Sequence, residues 1–211
     1  MQPDTGDPTF PIWLLGDSNP VNWQDSLAHP LDPRHPARHN IWTAVLDPLQ
    51  DRVFRARGLR LDSSRLYIRN AVEDPSERPS ATDTAWPPAT VLRIADLASR
   101  LDKYRPFVVF SFGSFSFEGG RRALSELPHR RPLYWNTRRL GAEFRERVDG
   151  FSSDRVNLLP LLHVSIARGR FLQSHAAYTE QPDANYFAYV ANSLAPVLLD
   201  TLGHLPIWLG D

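Results

Sequence analysis

The sequence predicts an α/β fold, a three-layer αβα sandwich around a central four-stranded parallel sheet, in one domain over residues 1–211. Three observations lead there. Four short apolar runs, at residues 10–15, 66–72, 107–112 and 156–164, are continuous rather than alternating in hydrophobicity, as strands covered on both faces require. Segments with helical spacing fall between and after them, which implies crossovers and a parallel sheet. No repeat or linker divides the chain, and its length suits one large core.

The elements follow in order. Residues 10–15 form the first strand and run into the polar turn Gly16-Asp17-Ser18-Asn19-Pro20. A helical segment is expected over 37–54, then the second strand at 66–72. A helix at 88–101 leads to the third strand at 107–112, and helices at 120–127 and 137–148 lead to the fourth at 156–164. The clearest helix is 183–202, where Phe187, Val190, Leu194, Val197, Leu198 and Leu202 make one apolar stripe. The 19 prolines gather in loops, notably 20–36 and 75–88. In such a sheet the ligand site lies at the carboxyl ends of the strands, so the loops after 15, 72, 112 and 164 should line one cleft.

Composition narrows the chemistry. The chain has 0 cysteines, which removes disulfides, thiolate metal sites and cysteine nucleophiles. Oxygen and nitrogen side chains must carry any catalysis, and no metal or cofactor is expected. No apolar run approaches the roughly 20 residues of a membrane span, and the start of the chain lacks the parts of a signal peptide. A cytoplasmic monomer with no membrane partner is therefore expected. The formal net charge is zero and Lys103 is the single lysine. Arginines crowd the stretch 121–170, among them Arg121, Arg122, Arg168 and Arg170. Their planar forks suit phosphate, although a solvated surface explains such a run equally well.

The four strand ends carry the candidate site. After the first, Gly16 permits a tight turn and Asp17, Ser18 and Asn19 bring polar groups with no apolar reason to be there; capping of the next segment is the plainer reading. In the second, Asn70 sits within an apolar run and must satisfy an amide, either in the core or on a ligand edge. In the third, Gly113 lets the backbone approach a neighbour closely. The fourth ends in His163-Val164-Ser165-Ile166-Ala167-Arg168-Gly169-Arg170, where a histidine beside small residues and arginines suits anion stabilisation and phosphate contact. Taken alone, His163 reads as a packed core histidine.

Together these segments resemble the uracil-DNA glycosylase superfamily. Asp17-Ser18-Asn19-Pro20 is similar to the family's first turn, with Asn19 at its catalytic position, and residues 66–72 look like the strand whose asparagine reads the extruded base. His35-Pro36-Ala37-Arg38-His39-Asn40-Ile41-Trp42 is similar to a segment of the mismatch-specific branch, and His163-Val164-Ser165 to the family's H-P-S motif. The resemblance covers roughly residues 12–202. It departs in three places: Asp17 stands where the family has glycine, Val164 where it has proline, and the loop that follows Val164 is shortened.

What the resemblance implies is a monofunctional DNA glycosylase that extrudes a base from DNA and hydrolyses its N-glycosidic bond. His163 would stabilise the departing base anion, Asn19 would position water, and Asp17 would act as base or stabilise the sugar cation. Asn70, Ser18 and Gly113 would bind the base. Ser165, Ile166, Arg168 and Arg170 would meet the DNA, with Ile166 as wedge and Arg121 and Arg122 as further phosphate contacts. The extra carboxylate at Asp17 turns the expected target from uracil toward a modified base, such as a hypermodified cytosine in phage DNA, with a role in antiviral defence. A uracil or mismatch repair enzyme is the nearer alternative. Two other classes remain. Gly16-Asp17-Ser18-Asn19 also resembles the G-D-S block of SGNH esterases, with Ser18 as nucleophile, but the G-x-N-D block is missing and Asp200 and His204 are one residue too far apart. The other is a non-catalytic DNA-binding module.

Overall fold

A computed structural model describes residues 4–19, 27–34, 45–167 and 172–209. Its centre is a five-stranded sheet in the order β1-β4-β2-β5-β6, where β1 is Asp4–Thr5, β2 Ile12–Gly16, β4 Tyr67–Asn70, β5 Val108–Phe112 and β6 Asn157–Leu161. The last four are parallel to one another, with Gly16 opposite Asn70, Leu15 opposite Ser111 and Phe112 opposite Leu161. They are the four expected apolar runs. Every residue of β5 and β6 is buried, as are Ile12, Trp13, Leu14 and Leu15, so unbroken hydrophobicity marks central strands here.

The sheet is mixed rather than purely parallel, because β1 pairs antiparallel with β4. Two polar residues carry no strand signal of their own, yet they cover the backbone edge that β4 would otherwise leave open. A second, two-stranded sheet joins β3 (Arg60–Leu61) to β7 (Trp208–Leu209). It accounts for the apolar C-terminal segment: Ile207 is buried, and Trp208 donates its indole N–H to the Leu202 carbonyl at 2.8 Å.

Seven helices pack on this frame among the described residues. They are α1 (Asp47–Arg57), α2 (Pro88–Tyr104), α3 (Ser114–Ala123), α4 (Thr137–Asp149), α5 (Val164–Ala167), α6 (Leu172–Thr179) and α7 (Tyr186–Leu202). Helix α1 packs against α7 and α2 against α3, an arrangement compatible with layers of helix on the sheet. The expected helix at 120–127 lies instead at Ser114–Ala123. Phe115 through Arg121 are all buried, Glu118 and Arg121 included, so polarity does not mark the exposed side of α3. The part of the expected 37–54 helix before residue 45 lies outside the described residues, as does the segment 35–42. No described helix is long and apolar enough to cross a membrane.

From β2 the chain moves to β4 on one side, and from β5 to β6 on the other. The carboxyl ends of β2 and β5 therefore form a topological switch point, where open α/β sheets leave a crevice.

Candidate active site at the strand ends

The turn after β2 is held to its neighbour by continued pairing. Ala71 N–H donates to the Gly16 carbonyl at 2.8 Å, Val72 N–H to that of Asp17 at 3.1 Å, and Asn19 N–H to that of Glu73 at 3.2 Å. Side chains add to this. Asn70 Nδ2 donates to Asn19 Oδ1 at 2.5 Å. A Cβ on residue 16 would lie 2.3 Å from Asn70 Oδ1, so glycine is what admits the Asn70 side chain across the strand.

Asp17 reaches the other way, toward β5. One carboxylate oxygen accepts the Ser116 N–H at 3.1 Å, capping the first turn of α3 from a neighbouring strand. The other lies 3.3 Å from the Arg78 guanidinium. Arg78 projects from a 3-10 turn at Pro75–Glu77 that is closed by a capping box between Asp74 and Glu77. Its guanidinium stands 5.5 Å from the centre of the Phe115 ring.

Gly113 has φ +103°, and a Cβ there would meet His163 Cβ at 3.1 Å. The glycine allows both the left-handed backbone and the approach of the histidine. His163 follows β6, with its carbonyl accepting from Ile166 and Ala167 in α5. Its Nδ1 accepts the Ser165 N–H at 3.2 Å and lies 2.7 Å from Ser165 Oγ. A backbone donor requires a lone pair at Nδ1, so the neutral ring carries its proton on Nε2.

These groups converge on a cavity of about 420 Å³ whose lining includes Asp17, Arg78, Gly113, His163, Ser165 and Ile166. Of the expected site residues, those five besides Arg78 share it. Asn70, Asn19 and Ser18 do not line it; Asn70 at the end of β4 pairs with Asn19 in the turn after β2. Arg168 and Arg170 lie outside the described residues.

Among the wall residues that escaped the sequence reading are Arg78, Trp135, Asn136 and Thr137. Asn136 caps α4 by accepting the Arg139 N–H at 3.1 Å. An asparagine ahead of a periodic segment signals a helix start, but nothing local says that this start faces His163. The wall is anchored by Glu118, which is fully buried. It accepts from Trp135 Nε1 at 2.7 Å, Arg130 N–H at 2.7 Å, Arg121 at 3.0 Å and Arg122 at 3.1 Å.

That network corrects the expectation for Arg121 and Arg122 as phosphate contacts. Arg121 is buried and also pairs with Glu126, while Arg122 donates to the Thr84 and Arg130 carbonyls and covers the Trp86 ring. Arg145 and Arg147 are likewise paired, with Glu180 and with Glu126 and Glu143. These four arginines are therefore engaged by carboxylates of the chain itself, whereas Arg131, Arg138, Arg139 and Arg155 of the same stretch are exposed.

No protein-family model matches the chain, and comparison with curated proteins finds no match.

Proposed function

We propose that this chain is a DNA glycosylase of the uracil-DNA glycosylase type, built as an αβα sandwich and acting on a base extruded into the cavity at the strand ends. The observation that carries the reading is that Asp17 and His163 line one cavity, the histidine with its Nε2 proton unused by the Ser165 backbone. As the N-glycosidic bond breaks, negative charge grows on the base and positive charge on the sugar. Nε2–H stabilises the first and the Asp17 carboxylate the second. Base reading by Asn70 and water positioning by Asn19 require their mutual bond to open when substrate enters. Half-buried Ile166 and exposed Ser165 border the cavity and serve as wedge and backbone contact, and Arg168 and Arg170, which follow in the sequence, are proposed as phosphate contacts.

The Asp17 carboxylate in the cavity lining favours a base with added polar groups over plain uracil, which suits excision of a hypermodified cytosine from phage DNA in a cytoplasmic defence role. The esterase reading has less support. Among the described residues no histidine is hydrogen-bonded to Ser18 as a general base.

Mass spectrometry of bases released from uracil-containing, mismatched and modified phage DNA tests the proposal. Release of a modified base supports the full reading, and release of uracil alone reduces it to a repair enzyme. Tight DNA binding with no base released from any substrate overturns it in favour of a binding module.

A further inference from the structure

Arg78 differs from the other arginines near the cavity. Arg121, Arg122 and Arg147 direct their N–H groups to the buried or half-buried carboxylates of Glu118 and Glu126. Arg78 has a side chain 44% exposed, lines the cavity, and meets Asp17 through a single contact of 3.3 Å. That is longer than the roughly 2.7–2.9 Å of a strong charge-assisted bond. Its root is rigid, since its N–H donates to the Pro75 carbonyl at 3.2 Å and Pro79 follows directly. A firm root with a loosely paired fork at a cavity wall is suited to exchanging one anion for another.

Building on the glycosylase reading, we infer that Arg78 binds the phosphodiester beside the extruded nucleotide and that, in doing so, it leaves Asp17 and frees that carboxylate for water. Two phosphate oxygens match the guanidinium fork better than one carboxylate oxygen does. Once Arg78 turns away, one Asp17 oxygen still accepts the Ser116 N–H and the other accepts a proton from water. The water oxygen bonds to C1′, the C1′–N bond breaks, and its electron pair leaves with the base, which is hydrogen-bonded to His163 Nε2–H. The proton held by Asp17 then passes to the released base, so atoms and charge balance.

The test is the salt dependence of binding to a duplex containing one tetrahydrofuran abasic site, followed by fluorescence anisotropy. Each lost phosphate contact lowers the slope of log K against log salt by about 0.9. Arg78→Ala is expected to lose about that much, and Arg78→Lys, which keeps the charge, to retain the slope. Asp17→Asn keeps the cap on α3 but removes the competing charge, so it binds about two- to fivefold tighter, the worth of one exposed ion pair. That gain disappears when Arg78→Ala is added. An unchanged slope in Arg78→Ala, or the same Asp17→Asn gain without Arg78, overturns the inference. A wild-type protein with no preference for the abasic duplex over an intact one overturns instead the glycosylase reading beneath it.

Discussion

Asn70 Nδ2 donates to Asn19 Oδ1 at 2.5 Å, and the same amide lies where a side chain on Gly16 would begin. The ends of β4 and β2 are thus latched by a pair of amides as well as by backbone pairing. Gly16→Ala puts a Cβ 2.3 Å from Asn70 Oδ1 and drives the amide off Asn19. Urea denaturation is expected to show a loss of about 1–3 kcal/mol, as for other overpacked sites. A midpoint equal to wild type would mean that the close approach does not exist in solution.

For the chemistry, His163→Ala and Asp17→Asn should each slow base release in single-turnover assays by about 10²- to 10⁴-fold, the usual scale for a lost acid–base group. Asn19→Ala should also slow release by orders of magnitude. Ser165→Ala should cost much less, because the Ser165 backbone N–H, which stays, still holds His163 Nδ1. Circular dichroism must show the variants folded; near-wild-type release by His163→Ala and Asp17→Asn would remove both residues from the mechanism.

Glu118 makes a separate prediction about stability. Glu118→Ala leaves the Trp135 indole N–H without its acceptor and the buried Arg121 guanidinium with Glu126 as its one remaining carboxylate, so unfolding should become easier by about 3 kcal/mol, the lower end of the cost of breaking a buried pair from one side. Glu118→Gln, which still offers one acceptor oxygen, should lose less. Equal, small losses from both would show that the carboxylate is not central to this corner of the fold.

Alkaline titration should separate the tyrosines. Burial raises the Tyr178 and Tyr186 hydroxyls well above their usual range, and burial together with the Asp4 carboxylate does so for Tyr67. In the unfolded chain all three ionise near pH 10. The folded state holds their protons longer, so their contribution to stability is full below about pH 10 and is lost as pH rises through the folded values. Of the 6 tyrosines, these three should gain phenolate absorbance only at higher pH or on unfolding. Six that titrate together near pH 10 with the fold intact would contradict their burial.

How much of this was legible in the residues depends on what each element leaves in the chain. The four parallel strands are readable because burial on both faces writes itself as uninterrupted apolar runs. Asp4–Thr5 is not, since its role is to satisfy the β4 backbone and its side chains are polar. Helix α3 is misplaced by periodicity because Gly119 and Gly120 face Ile94 and Leu158 in the interior and the polar Glu118 and Arg121 are buried as well, so polarity does not track exposure. Asp17, Gly113 and His163 stand out as strand-end residues, whereas Arg78, Trp135 and Asn136 sit in loops whose arrival at the cavity depends on the tertiary path. Arg121 and Arg122 mislead for a related reason: arginine composition does not record that Glu118 lies one turn away inside the core.

The bond from Ser116 N–H to Asp17 joins residues 99 positions apart, and His163 reaches Gly113 across another 50. Contacts of such sequence separation form slowly, because loop entropy must be overcome before they reward it. The cavity is consequently a late product of synthesis and folding. A nascent chain that has not yet released β6 from the ribosome holds Asp17 without its histidine, and activity should emerge on the ribosome only after residue 163 has cleared the exit tunnel.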